Sequence, residues 1–313
     1  MKLSKTLLIN IGLTIIVVSL LIKNIFFNSV FGDSVSEKLP PLSLPKIEAL
    51  SNQPPPKFIG KTAKPPVYIG SGILLDKDSS YPLWEKNSRQ PVSIASTAKI
   101  MTAIIVLENY NLQDVMAVPK EATQVVGSDT QLKWDEKLTI RQLLEATLIA
   151  SGNDAAYSLA MHGQSIDQFV GKMNQKTQDL GLKNTKFVDP AGLDDNGKST
   201  PFDLAMMAAY AMKNPVFREI VAIKEKDIVS TDGRFTHHLK NSNRLVGEYN
   251  YPGALGVKTG FTPAAGHCLV SMAERDGRTL ISVVLNTTES TITVSASESR
   301  KLLDWGFTNW QWN

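Results

Sequence analysis

The stretch HCLVSMAERDGRTLISVVL, His267–Leu285, commits this chain to an antiparallel sheet. Two apolar runs, His267–Ala273 and Thr279–Leu285, flank Asp276-Gly277, a dipeptide suited to the positive φ of a tight hairpin turn. Leu255–Lys258 reads as a further strand just before them. At the other end of the folded region, Tyr68–Leu75 (YIGSGILL) reads as a strand, and Tyr81–Trp84 as its hairpin partner. Helical periodicity fills the interval. Ser96–Tyr110 places Ile100, Ala103, Ile104 and Leu107 on one face, and 139–162 starts at an N-cap, Thr139, and runs through Leu143, Leu144 and Leu148. Ile166–Leu180, Pro201–Lys213 and Thr293–Leu303 complete the helices. Strands at both ends with helices between them predict one α/β domain, its N- and C-terminal strands paired in a single antiparallel sheet.

Upstream of Val67 the chain changes character. Lys2 and Lys5 precede TLLINIGLTIIVVSLLI, Thr6–Ile22, an uncharged run. As a helix it rises about 25 Å, slightly less than the hydrocarbon core of a bilayer. Residues 1–32 read as a membrane anchor or a signal segment. The anchor is preferred because the run exceeds the ~7–15 residues of a signal h-region. Either reading exports the remainder, so the protein is expected outside the cytoplasm. Residues 33–66 hold eight of the sixteen prolines, which predicts an extended, semi-rigid linker. Residues 67–313 are left as the one globular domain.

Composition excludes several classes. Of the 313 residues 42% are hydrophobic and 20% charged, too apolar for a disordered chain, and one cysteine cannot staple a fold. A balance of 33 basic against 30 acidic residues leaves +3, too little for a protein that binds nucleic acid by neutralising phosphates. His162, His237, His238 and His267 form no metal-ligand spacing, so neither metal nor cofactor is expected. His237 and His238 point to opposite faces if extended and read as surface residues. Cys268 reads as a buried, inert thiol.

Three short segments carry chemistry. In Ser93-Ile94-Ala95-Ser96-Thr97-Ala98-Lys99-Ile100, Ser96 and Lys99 stand one helical turn apart on one face. A serine hydroxyl needs a base, and a lysine serves when a dry site lowers its pKa. The apolar residues that follow Lys99 place this helix inside the protein. Ser151-Gly152-Asn153 offers a hydroxyl and a carboxamide, although alone it reads only as a turn. Gly256-Val257-Lys258-Thr259-Gly260-Phe261-Thr262 puts a cation, a hydroxyl and a glycine on a strand edge, where a carboxylate and a peptide backbone can approach.

In this order the three match the S-x-x-K, Ser/Asn and K-T-G signature of β-lactamases and penicillin-binding proteins. The sequence resembles the serine-type D-Ala-D-Ala carboxypeptidases, the low-molecular-mass penicillin-binding proteins. SIASTAKIMTAIIVLE, IASGNDAAYSLA, DPAGLDDNGKSTPFDLA, NSNRLV, GVKTGFTPAAGHCLV and ESRKLLDWGF carry the resemblance over roughly 67–310. It implies the β-lactamase/DD-peptidase-like fold and an enzyme of peptidoglycan metabolism that trims the terminal D-alanine from stem peptides. It implies Ser96 as the acylated nucleophile and Lys99 as its base, with Ser151 and Asn153 relaying a proton and holding a substrate amide. Lys258 and Thr259 would bind the terminal carboxylate, beside Gly260, and the amides of Ser96 and Phe261 would form the oxyanion hole. β-Lactams would inhibit by acylating Ser96.

Two departures stand out. The family often reads Ser-Met-Thr-Lys or Ser-Leu-Thr-Lys, where this chain has Ser96-Thr97-Ala98-Lys99. Where the family often has an arginine that assists the substrate carboxylate, this chain has Ser295, so carboxylate recognition is weaker or comes from Arg244, Arg275 or Arg278, three residues that read rather as solvated surface charges. A β-lactamase would need a deacylating Glu, and Val188-Asp189-Pro190-Ala191-Gly192-Leu193 has none. The alternatives left open are a DD-endopeptidase and a catalytically weak penicillin- or peptidoglycan-binding protein.

Overall fold

A computed structural model describes residues 53–287 and 291–312. Residues 1–32 and most of the proline-rich segment lie outside them. Among the described residues no helix is long and apolar enough to cross a membrane.

The expected hairpin forms with Arg275 opposite Arg278. Its strands, β11 (Gly266–Arg275) and β12 (Arg278–Thr287), sit inside a five-stranded antiparallel sheet of order β10-β11-β12-β2-β3. Here β2 is Ile69–Asp76, β3 Pro82–Lys86 and β10 Ala254–Thr262. The β12–β2 pairing, with Val283 opposite Ile73, joins the two ends of the domain as the sequence predicts. Both faces of the sheet are covered, so β2 and β12 bury successive residues rather than alternate ones. Ile73, Leu75, Val270 and Val283 face the helical region, whereas Leu74, Leu269, Leu280 and Val284 face α7 (Val294–Asn309). A Cβ on Gly306 of α7 would lie 2.5 Å from Leu74 and 2.7 Å from Leu280, so this helix packs close to the sheet because residue 306 is glycine.

The helical region is built around α1 (Lys99–Asn109), which continues a 3-10 turn over Ala95–Ala98 and buries its first eight residues. Next come α2 (Ile140–Ile149), α3 (Asn153–Ala160), α4 (Ile166–Asp179), α5 (Pro201–Ala211) and α6 (Pro215–Val221). Their starts follow sequence chemistry. Thr139 and Gln142 form a reciprocal capping box on α2, and Thr200 and Asn214 cap helices that begin with proline. Among the described residues four small antiparallel pairs lie outside the main sheet: β1 (Lys57–Phe58) with β13 (Trp310–Gln311), β4 (Val92–Ser93) with β7 (Lys198–Ser199), β5 (Val115–Ala117) with β6 (Lys137–Thr139), and β8 (Glu225–Val229) with β9 (Thr236–Lys240).

Three local readings are corrected. The helix expected over 139–162 is two helices, because Ser151 takes φ 65° and turns the chain between α2 and α3. The folded body begins before Val67: β1 pairs with β13, and the Thr62 carbonyl accepts the Trp305 indole N–H at 3.0 Å. His238 is exposed as expected, but His237 turns inward, 8% exposed, and bonds Glu136 at 2.8 Å.

Candidate active site

The Ser96–Lys99 pair lies where the 3-10 turn runs into α1. The Lys99 side chain is fully buried and its Nζ donates to Ser96 Oγ at 2.8 Å, Asn153 Oδ1 at 2.7 Å and the Ala191 carbonyl at 3.0 Å. All three ammonium protons are therefore used. Burial drives the Lys99 pKa down to about 7, against the opposing pull of the Asp189 and Asp154 carboxylates. Near neutral pH a large share of Lys99 is an amine able to accept the Ser96 proton.

Asn153, the first residue of α3, is held on both sides. Besides accepting from Lys99, it donates through Nδ2 to the Val126 carbonyl at 2.8 Å. One lone pair and one N–H remain for a ligand. Asp154 fastens the loop beside it, its carboxylate accepting from the amides of Thr130 (3.0 Å) and Leu132 (3.0 Å) and from the Thr130 hydroxyl (2.9 Å). The Ser151 hydroxyl has no partner among the described residues, so the turn that breaks the helix presents a free O–H beside Asn153.

The Ala191 carbonyl is fixed by a residue the sequence reading passed over. Asp189 Oδ1 accepts from the amides of Ala191 (2.7 Å), Gly192 (2.6 Å) and Leu193 (3.2 Å), and Oδ2 accepts from Asp194 (2.8 Å). The loop is pinned to α1 by Thr102, which donates to the Pro190 carbonyl at 2.5 Å. At Gly192, φ is 74° and a Cβ would stand 1.9 Å from the Ala95 carbonyl, so this close approach needs glycine. A carboxylate already accepting four amides is ill placed to activate water.

Strand β10 forms the opposite wall. Lys258 is 1% exposed and its pKa is pushed well below the ordinary value, first by burial and then by the charge of Lys99. Among the described residues its Nζ reaches only the Thr259 carbonyl, at 3.2 Å. Thr259 donates its hydroxyl to Ser242 Oγ at 2.7 Å, and Ser242 is tied to the helical wall through its amide, which donates to the Ile149 carbonyl at 2.9 Å. Ser242 lies in the NSNRLV block but carried no role in the sequence reading. Gly260 passes so close to the 3-10 turn that a Cβ would be 3.0 Å from the Ser96 amide and 3.0 Å from the Ile94 carbonyl. Phe261 is 57% exposed and its ring stacks on His267.

None of the three arginines stands at this wall, in keeping with their reading as surface charges. Ser295 is buried in the first turn of α7. Arg244 pairs with Glu248, Arg275 pairs with Asp304 at 3.0 Å, and Arg278 belongs to the hairpin turn. Among the described residues the basic side chain at this wall is Lys258, with the Thr259 and Ser242 hydroxyls beside it. Cys268 is buried, and burial raises its pKa to about 12. Among the described residues no group of three or more His, Cys, Asp or Glu is placed to hold a metal ion.

A nucleophile with a buried lysine base, set between a helix start and a strand edge, is the outline of a serine-type hydrolase. The family profile of D-alanyl-D-alanine carboxypeptidase matches residues 60–289. The D-alanyl-D-alanine carboxypeptidase DacF of Bacillus subtilis is 34% identical over 77% of this chain, which spans 62% of that relative's length. The D-alanyl-D-alanine carboxypeptidase of Streptomyces sp. K15 is 36% identical over 78% of this chain and 89% of its own. The crystal structure of the Streptomyces K15 DD-transpeptidase superposes with a TM-score of 0.74 at 36% identity, covering 79% of this chain and all of that one. The chain belongs to the D-alanyl-D-alanine carboxypeptidase family, and its fold is that of the DD-peptidases, an antiparallel sheet with a helical region.

Proposed function

We propose that this chain is a serine-type D-alanyl-D-alanine carboxypeptidase acting on peptidoglycan stem peptides, with Ser96 as nucleophile and Lys99 as base. The observation that carries the reading is the buried Lys99 Nζ, 2.8 Å from Ser96 Oγ, with a pKa drawn to about 7. Lys99 takes the Ser96 proton as Oγ attacks the penultimate carbonyl. The Ser96 and Phe261 amides receive the oxyanion at the gap that Gly260 keeps open. Asn153 orients Lys99 and offers its remaining N–H to the substrate backbone. Ser151 carries the proton to the departing D-alanine amine. Lys258, Thr259 and Ser242 hold the terminal carboxylate, whose negative charge compensates the buried Lys258. Water then resolves the ester.

A β-lactam presents the same carbonyl and carboxylate and acylates Ser96 in the same way. The N-terminal run Thr6–Ile22, preceded by Lys2 and Lys5, supports a location on the outer face of the membrane, anchored by that segment.

The test is labelling with a reporter penicillin, followed by an assay of D-alanine release from a pentapeptide ending in D-Ala-D-Ala. The wild-type chain is expected to be marked on Ser96 and to release D-alanine, and Ser96→Ala to do neither. Equal labelling of Ser96→Ala would refute the assignment. For the anchor, protein extracted from membranes is expected to keep its N-terminal segment; a chain beginning near Asp33 rejects it.

A further inference from the structure

Beside α7, the two ends of the described chain meet in the β1–β13 pair, and their aromatic rings pack together. The Phe58 ring lies 5.3 Å from that of Trp310 and 6.1 Å from that of Trp305, and Tyr81, just before β3, lies 6.0 Å from Trp310. This cluster is not closed over. Phe58 is 38% exposed, Tyr81 41% and Ile59 54%.

The charge around it is of one sign. Residues 53–68 contain Lys57, Lys61 and Lys64 and no Asp or Glu, and residues 305–313 carry no charged side chain. All three lysines are exposed and form no ion pair among the described residues. Carboxylates on the adjoining elements are already engaged. Asp76 accepts the Trp312 indole N–H at 2.8 Å, Glu298 accepts the Tyr68 amide and the Lys301 ammonium, both at 2.6 Å, and Asp304 accepts from Arg275 at 3.0 Å. Exposed aromatic and aliphatic side chains among unpaired lysines are the composition of a surface that rests on lipid headgroups.

The sequence points to the same occupant. Only thirty residues, 23–52, separate the apolar run Thr6–Ile22 from the described chain, so a modest affinity for the bilayer is raised by tethering. The aromatic cluster also lies on the α7 face of the sheet, whereas α1, with Lys99, packs on the other. Contact through this surface leaves the catalytic cleft uncovered.

We propose that the β1–β13 surface docks on an anionic phospholipid surface, with Phe58, Ile59 and Tyr81 entering the interfacial layer and Lys57, Lys61 and Lys64 meeting the phosphates. The domain then rests on the bilayer rather than standing off it. This rests on the membrane location proposed above.

All five tryptophans follow residue 53, so their fluorescence reports the folded domain and not the anchor. Trp84, Trp305, Trp310 and Trp312 belong to the cluster beneath this surface, and Trp134, beside Lys120, is replaced by Phe. The full chain is reconstituted into phosphatidylcholine vesicles with and without phosphatidylglycerol, with brominated acyl chains as quencher. Quenching is expected in the anionic vesicles and much less in the neutral ones. Each lysine is expected to favour the docked state roughly fivefold, so Lys57→Gln/Lys61→Gln/Lys64→Gln together should abolish quenching. Ile59→Ser should weaken it, and penicillin should label Ser96 at the wild-type level in every variant, which also reports folding. A chain that floats with the vesicles but is not quenched, or is quenched equally without the lysines or without anionic lipid, overturns the surface and leaves the anchor standing. A chain that does not float with either vesicle rejects both. Light scattering of the detergent-extracted chain covers another occupant: a dimer that Ile59→Ser dissolves would give this face to a second copy and overturn the lipid assignment.

Discussion

Lys99 Nζ and Ser96 Oγ stand 2.8 Å apart, and the lysine that makes this contact has no solvent-exposed surface. Proximity alone would not make a base of an ammonium, so burial, which brings its pKa to about 7, is the necessary second half of the relationship. Acylation by penicillin is therefore expected to rise tenfold per pH unit below about 7 and to level off above it. Lys99→Arg, which stays protonated, is expected to lose roughly 10²–10⁴ of the rate across that range. A flat profile between pH 5 and 9 in the wild type would sink the assignment of Lys99 as base.

The same burial has a cost in stability. In the folded chain Lys99 titrates near 7 and in the unfolded chain near 10.5, so between those values the unfolded state holds more protons. Stability therefore rises with pH across that window and is lowest, on this account, below pH 7. Comparing denaturant unfolding of the wild type with Lys99→Met removes the contributions the two share. The wild type is expected to gain on the variant by about 1.4 kcal/mol per pH unit between 7 and 10.5. A constant difference between the two proteins would mean that Lys99 keeps an ordinary pKa.

Asp189 shapes the loop and biases the base at the same time. Replacing it with Asn leaves an acceptor for Ala191, Gly192 and Leu193 but sets an amide N–H against the Asp194 amide, a loss of about 1–3 kcal/mol. It also removes the carboxylate that most opposes the fall of the Lys99 pKa. The acylation profile of Asp189→Asn is thus expected to shift to lower pH, visible in stopped-flow labelling at several pH values. The lifetime of the penicilloyl-enzyme should not change, because this carboxylate is spent on backbone amides. A much longer lifetime would make Asp189 a deacylating group after all.

Much of this arrangement was legible in the residues. Asp276-Gly277 between two apolar runs marks the central hairpin, and the family resemblance carried by the three motifs together, rather than any one spacing, singles out Ser96, Lys99, Asn153 and Lys258. What escaped depends on partners distant in sequence. The break at Ser151 requires a positive φ at a non-glycine residue, sustained by Asn153 and Asp154 bonding to the loop at 126–132. The β8–β9 hairpin is hard to read from sequence, although Asp232-Gly233 lies between its strands, because Glu225, Lys226, Asp227, His238 and Lys240 leave few apolar residues to mark it. Burial of His237 reflects a carboxylate, Glu136, that lies 101 residues away. Ser242 and Asp189 look like ordinary loop residues until the fold brings them to Thr259 and Ala191.

Gly260 offers a test of the oxyanion gap that does not touch a reacting side chain. Its φ is not in the left-handed region, so Gly260→Ala adds only a methyl group, 3.0 Å from the Ser96 amide and 3.1 Å from the Ala95 Cβ. Small overpacking of this kind costs about 1–3 kcal/mol, which the fold should survive. Acylation is expected to fall on the order of 10²-fold, as when one oxyanion donor is lost. Circular dichroism and thermal unfolding would establish that the variant folds. A folded variant with the wild-type acylation rate would place the oxyanion elsewhere.

Ser242 separates ground-state binding from chemistry. Its hydroxyl accepts from Thr259 at 2.7 Å and is free to donate its own proton, so an arriving carboxylate meets two hydroxyls and the Lys258 cation. Ser242→Ala removes one donor and leaves the Thr259 hydroxyl free to rotate towards the ligand. Loss of about 1 kcal/mol of carboxylate binding is expected, raising KM for the pentapeptide roughly fivefold. Because the contact is present before and during acyl transfer, kcat should remain near that of the wild type. A pentapeptide whose terminal carboxylate is amidated supplies the control: it should bind both proteins equally weakly. If Ser242→Ala instead lowers kcat with KM unchanged, the hydroxyl acts in proton transfer, and the relay assigned to Ser151 belongs at least partly to Ser242.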